Sequence, residues 1–219
     1  AAPVVTRVAV GGYIHGGLYH SQNIESIFAH IPGIYIAYPS NATDAKGLLK
    51  TAMRINDPVL FCEHKGLYRQ PYAATPEPDD DFLIPFGKAS IVREGTDATI
   101  VTYGLNVWDA YFISKRLEEE GYSIEIIDIR TIAPLDEETI FNSVKKTNKV
   151  IVIHEDTLTA GFGAEIAARI ADSCFRHLDA PVKRLAAKDS HIPYSPVLED
   201  TILPSREETY KAIKELLLY

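Results

Sequence analysis

The chain has 219 residues, 46% of them hydrophobic and 24% charged, which suits one large or two modest globular domains and excludes disordered and fibrous classes. No run approaches the roughly 20 apolar residues of a membrane span, and Ala1-Ala2-Pro3-Val4 lacks the basic and apolar segments of a leader, so a cytoplasmic or organelle-matrix protein is expected. The net charge of −8 is accompanied by dispersed Lys and Arg, an argument against a nucleic-acid surface that leaves a basic protein partner open.

Apolar runs alternate with amphipathic stretches over residues 4–68, the pattern of a parallel α/β sheet. Strands are expected over 4–10, 34–38 and 59–62. Asn23 is placed to cap a short helix carrying Ile24, Ile27 and Phe28, with His30 packed on it, and Asn41 to cap one carrying Ala45, Leu48, Leu49 and Ala52. Three strands make a small sheet with an incomplete edge, so further strands are expected to precede Ala1. Residues 70–86, with Pro71, Pro76, Pro78, Pro85 and the run Asp79-Asp80-Asp81, suit neither helix nor strand and read as a linker between domains at 1–69 and 87–219.

Beyond the linker, strands over 99–103, 124–129 and 150–154 alternate with helices over 107–119, 137–146 and 164–171. Such a βαβαβα run predicts a doubly wound sheet with helices on both faces. Ser205 and Glu208 have capping-box spacing and open a last helix whose Ile213, Leu216 and Leu217 seek a core. Cys62 and Cys174 lie far apart in apolar segments and are expected to be buried free thiols.

Chemistry is concentrated in Gly11-Gly12-Tyr13-Ile14-His15-Gly16-Gly17-Leu18-Tyr19-His20-Ser21-Gln22. Its glycines allow close backbone approach, and its two imidazoles follow a strand end, where open α/β sheets bind ligands. His20, and less directly His15, are candidate proton carriers; the alternative is a turn whose imidazoles bond to backbone groups. His154-Glu155-Asp156 lacks the second histidine of a zinc helix and reads as a solvated or interface turn. Gly161-Phe162-Gly163 falls short of a dinucleotide fingerprint and reads as a tight helix entry. No phosphate-binding loop, nucleophile elbow or Gly-Asp-Gly diphosphate motif is present.

Leu18-Tyr19-His20-Ser21-Gln22, then Phe28-Ala29-His30-Ile31-Pro32-Gly33 and Asp44-Ala45-Lys46-Gly47-Leu48-Leu49, resemble the β subunits of 2-oxo acid dehydrogenase E1 components, which are transketolase-like proteins. The resemblance continues through Asp57-Pro58-Val59, Leu67-Tyr68-Arg69, the string Ile127-Asp128-Ile129-Arg130-Thr131-Ile132-Ala133-Pro134-Leu135-Asp136, and His154-Glu155 with Gly161-Phe162-Gly163-Ala164-Glu165-Ile166. It implies an α/β fold in which the later part of a thiamine-diphosphate pyrimidine-binding domain is followed by a doubly wound transketolase C-terminal domain.

It further implies decarboxylation of a 2-oxo acid on thiamine diphosphate and reductive acylation of a lipoyl group, with His20 as the catalytic histidine. Magnesium, the diphosphate and the ring-activating glutamate are expected on other segments. A potassium ion is implied at backbone oxygens of Ala52, Ile55 and Asp57, against an ordinary helix C-terminal turn. The implied partners are an α subunit or α half of E1, a second β portion and the lipoyl acyltransferase (E2). Tyr19 and Lys65-Gly66-Leu67-Tyr68-Arg69 lean toward a branched-chain substrate. Pyruvate or acetoin dehydrogenases, a deoxyxylulose-phosphate synthase and a noncatalytic dimerisation and docking module are the competing readings.

Overall fold

A computed structural model describes residues 1–219 and builds them into two sheets. The strands are β1 (Val5–Val10), β2 (Tyr35–Ala37), β3 (Val59–His64), β4 (Ser90–Arg93), β5 (Ala98–Thr102), β6 (Ile124–Asp128), β7 (Thr131–Ala133), β8 (Val150–Thr157) and β9 (Lys183–Ala187). The helices are α1 (Gly17–His20), α2 (Glu25–Ala29), α3 (Ala42–Ala52), α4 (Asn106–Glu119), α5 (Glu137–Thr147), α6 (Phe162–Cys174), α7 (Pro196–Ile202) and α8 (Arg206–Leu217).

The larger sheet has the order β4-β6-β5-β8-β9, parallel except for β4. Its central strands are buried on both faces, and their alternation sends neighbouring residues into different cores. Ile100, Ile126, Ile151 and Ile153 pack under Ile113 and Leu117 of α4 and Ile213 and Leu216 of α8. Val101, Ile127, Val150 and Val152 face the other way, against Ile140 and Val144 of α5 and Ile166 and Ile170 of α6. Helices therefore cover both faces, as the doubly wound expectation requires. Ser205 and Glu208 form the full capping box of α8.

The smaller sheet has the order β1-β3-β2-β7. Its first three strands are parallel, whereas β7 comes from the second half of the chain and pairs antiparallel with β2. That three-residue strand was not expected, and it knits the halves together. Val10, Ile36, Tyr38, Leu60 and Cys62 share one core with the α5/α6 side of the large sheet. On the opposite face Leu48 and Ala52 of α3 pack with Phe61 and Ile84. Strand β1 forms the far edge, and Val4 beside it is 58% exposed.

Asn41 caps α3 by accepting from the Asp44 amide at 2.9 Å. Asn23 does not cap α2: Ile24 holds that position, and Asn23 instead accepts from the Tyr38 hydroxyl at 2.7 Å. His30 lies past the end of α2, exposed, and is not the packing residue expected. The proline-rich segment lies against α3, where Lys46 donates to the Pro78 carbonyl at 2.8 Å and Ile84 abuts Gly47. Cys62 and Cys174 are buried and unbonded.

Candidate functional site: the glycine-rich loop and its buried supports

The loop after β1 leaves the sheet beside the end of β3, where Val10 is paired with His64. Gly11 sits at φ +91°, and a side-chain carbon there would overlap the His64 ring. The His64 Nδ1 accepts the Gly66 amide at 3.0 Å, so its proton resides on Nε2, which donates to Glu155 Oε2 at 2.6 Å. The other oxygen of Glu155 accepts the Gly12 amide at 2.5 Å. Burial pushes the Glu155 carboxyl up, but the facing His64 ring and these two hydrogen bonds outweigh it, leaving the group below its usual value. Tyr13 and Tyr38 stack near the same imidazole.

Three residues further on, the His15 amide donates to Glu199 Oε2 at 3.2 Å and its Nδ1 lies 2.6 Å from the same oxygen. Glu199, on α7, is fully buried. Tyr13 donates to the Pro204 carbonyl at 2.7 Å, and Gly16 to the Ser21 hydroxyl at 3.0 Å. The short helix α1 then brings out Leu18, Tyr19 and His20, all exposed, Tyr19 by 88%. The His20 carbonyl accepts from the Lys65 ammonium, and burial pushes the Lys65 amine below its ordinary value. The two histidines are thus separated by environment: His15 is tied to a carboxylate, whereas His20 turns an exposed side chain outward. Neither imidazole is bonded to backbone.

A cleft of about 940 Å³ opens between the halves, lined in part by Tyr13, Lys65, Tyr72, Asp109, Leu203 and Arg206. Asp109 and Arg206 are joined at 2.6 Å within it. His20 is not part of this lining.

The expectation of a solvated or interface turn at His154-Glu155-Asp156 is corrected, because these residues continue β8 and the first two are buried. Burial lowers the His154 imidazole to about 4, so it is neutral, and Gly161 and Gly163 close over its ring. Tight helix entry accounts for the glycines of α6, whose first amide already donates to Ser26 Oγ at 2.9 Å. Sequence reasoning missed His64, Glu155 as a buried bridge, and Glu199, since 91 residues separate the first two and no local spacing marks them. It also missed Glu25, fully buried, accepting from Tyr103 at 2.9 Å and raised to about 8 by burial.

At the end of α3 the Ala52 carbonyl accepts the Ile55 amide at 3.2 Å, a normal helix-terminal turn. The Ile55 and Asp57 carbonyls accept no backbone hydrogen bond, which suits a cation ligand as well as solvent. No three His, Cys, Asp or Glu side chains cluster as a metal site. The His154 ring packed against Gly161 and Gly163 leaves no cradle for a diphosphate at the start of α6.

Residues 1–71 match the transketolase pyrimidine binding domain, and residues 87–208 match the transketolase C-terminal domain. The chain belongs to the transketolase family. It is 46% identical over 217 residues to the 2-oxoisovalerate dehydrogenase subunit beta of Bacillus subtilis, covering 99% of this chain and 66% of that protein. Against the mitochondrial 2-oxoisovalerate dehydrogenase subunit beta 2 of Arabidopsis thaliana it is 41% identical, over 97% of this chain and 58% of the relative. The pyruvate dehydrogenase E1 component subunit beta of Staphylococcus aureus is 39% identical, over 99% and 66%. The chain therefore spans less than two thirds of these relatives' length. A solved structure titled as a split gene transketolase, an inactive beta4 tetramer, matches with a TM-score of 0.78 at 23% identity over 98% of this chain and 66% of that one, a likeness of fold. No helix is long and apolar enough to cross a membrane.

Proposed function

We propose that this chain is the β portion of a thiamine-diphosphate-dependent 2-oxo acid dehydrogenase E1 that decarboxylates a branched-chain 2-oxo acid and acylates the lipoyl group of an acyltransferase (E2). The observation that carries the reading is the 46% identity, along 99% of the chain, to a protein named for 2-oxoisovalerate. The exposed His20 side chain on a braced loop at the sheet's C-terminal edge supports it.

Residues 1–69 act as part of a pyrimidine-binding domain, 70–86 as linker, and 87–219 as the transketolase C-terminal domain. When bound, thiamine diphosphate supplies the electron sink for decarboxylation. His20 exchanges a proton through a ring nitrogen during transfer to the lipoyl group. The α subunit or α half of E1 carries magnesium and the diphosphate, and a second β portion completes the dimer. The backbone oxygens of Ala52, Ile55 and Asp57 would hold a potassium ion at the end of α3, where it would supply structural support. The compartment follows the relatives: bacterial cytoplasm or mitochondrial matrix.

The 39% identity to a pyruvate dehydrogenase subunit supports a second reading, with pyruvate as substrate. The complete enzyme separates them. A kcat/KM for 2-oxoisovalerate roughly tenfold or more above that for pyruvate supports the branched-chain reading, and the reverse order overturns it.

A further inference from the structure

We infer that Glu155 and Glu199, two buried carboxylates of the second half, are positioning residues that hold the glycine-rich loop in the conformation that presents His20. The inference rests on the proposed function only for the role of His20. Glu155 is 6% exposed and Glu199 is completely buried, and each spends an oxygen on a main-chain amide of the loop, Gly12 and His15 respectively. Neither is paired with Lys or Arg; the side chains that face them are the imidazoles of His64 and His15. Burying a carboxylate without a cationic side chain is costly; loop groups at Gly12 and His15 supply part of the compensation and His64 of β3 a further donor to Glu155, while Glu199 Oε1 has no partner.

The loop needs outside support. Gly11, Tyr13, His15 and Gly17 all lie at positive φ, between 56° and 91°, and Tyr13 and His15 carry large side chains that disfavour this region. Such a sequence does not hold that path on local preference alone. The site is also shaped for the contact. A side-chain carbon on Gly12 would sit 3.4 Å from Glu155 Oε1, 3.5 Å from Glu199 Oε1 and 2.6 Å from a Leu203 methyl. The His64 tautomer closes the arrangement, because Gly66 occupies Nδ1 and leaves Nε2–H with Glu155 as its acceptor.

Hydrogen exchange and turnover, measured on the assembled complex for the parent, Glu155→Gln and Glu199→Ala, test this. Glutamine at position 155 keeps the volume but offers one acceptor oxygen, so either Gly12 or His64 faces an amide donor; at position 199 both His15 contacts fall on one oxygen, which glutamine would keep, so alanine is used to remove it. The expected result is exchange of peptides covering 11–22 accelerated about tenfold or more in each variant, with protection of β3 and β8 kept. Lipoyl-dependent kcat falls in parallel while KM for the 2-oxo acid holds. Unchanged loop exchange in both variants overturns the inference, as does an equal loss of protection in the loop, β3 and β8. A loosened loop with turnover intact upholds the clamp and removes the catalytic role of His20. Glu199→Ala, on the peripheral α7, keeps the test open where Glu155→Gln fails to assemble.

Discussion

The Ser40 hydroxyl donates a 2.5 Å hydrogen bond to Asp128 Oδ2, joining the approach to α3 with the end of β6 across 88 residues of chain. The same carboxyl accepts the Arg130 amide at 2.9 Å, and Arg130 Nε reaches Asp44 at 2.9 Å, so the halves share a buried polar seam. Burial, opposed by the Ser40 bond and reinforced by the Asp44 charge, raises Asp128 to about 7. A carboxyl raised in the folded state binds more protons there than in the unfolded chain. Its stabilisation is thus fully present below the unfolded value near 4 and is lost as pH rises through about 7. Asp128→Asn should remove this component, worth up to about 1.4 kcal/mol per pH unit inside the window. Urea unfolding from pH 4.5 to 8 reads it as a stability difference between parent and variant that changes across the window; parallel curves contradict it.

Gly163→Ala inverts the usual rule for helices. Alanine for glycine inside a helix ordinarily gains about 0.5–1 kcal/mol. At position 163 the added carbon would overlap the neutral His154 ring and approach Val152 to 3.2 Å. A loss of roughly 1–3 kcal/mol is expected from overpacking, read as a lower denaturant midpoint. A midpoint at or above the parent's shows that the β8–α6 contact is looser than described.

The isolated 219 residues should bind thiamine diphosphate weakly, above about 100 μM, in the presence of magnesium. No cluster of acidic or histidine side chains is arranged to hold the metal, and the α6 entry is closed by His154. Calorimetric titration checks this, and submicromolar binding contradicts it.

The isolated chain should also self-associate and bind an apolar dye. Tyr194, Val197 and Leu198 are 76%, 72% and 53% exposed on or beside α7, and the β1 edge is unpaired. Light scattering that finds a dye-silent monomer contradicts it.

Much of the scaffold was legible in the sequence. The strands and helices of the second half announce themselves because continuous apolar runs and helical periodicity survive intact in β5, β6, β8, α4 and α5. Asn41 and the Ser205–Glu208 pair were readable because a cap is a local device. Strands β4, β7 and β9 were not: β4 is a four-residue antiparallel edge strand, β7 is three residues long and takes its meaning from β2, and β9, Lys-Arg-Leu-Ala-Ala, carries its charges into an edge. Asn23 had a cap's identity but was taken by the Tyr38 hydroxyl. His20 could be singled out from its glycine-rich setting, whereas the carboxylates that brace its loop come from residues 155 and 199 and are visible only once the chain is folded.

The central claim is that His20 handles protons in acyl transfer to the lipoyl group, and the most direct measurement is turnover of the complete enzyme carrying His20→Ala, read by two acceptors. A general acid or base contributes roughly 10²–10⁴ in rate, so acylation of the lipoyl domain should fall by about that factor. Decarboxylation read with an artificial electron acceptor should survive far better, and His30→Ala, at an exposed position past α2, should leave both near the parent's. Lipoyl acylation within a few-fold of the parent in the His20→Ala enzyme would contradict the account.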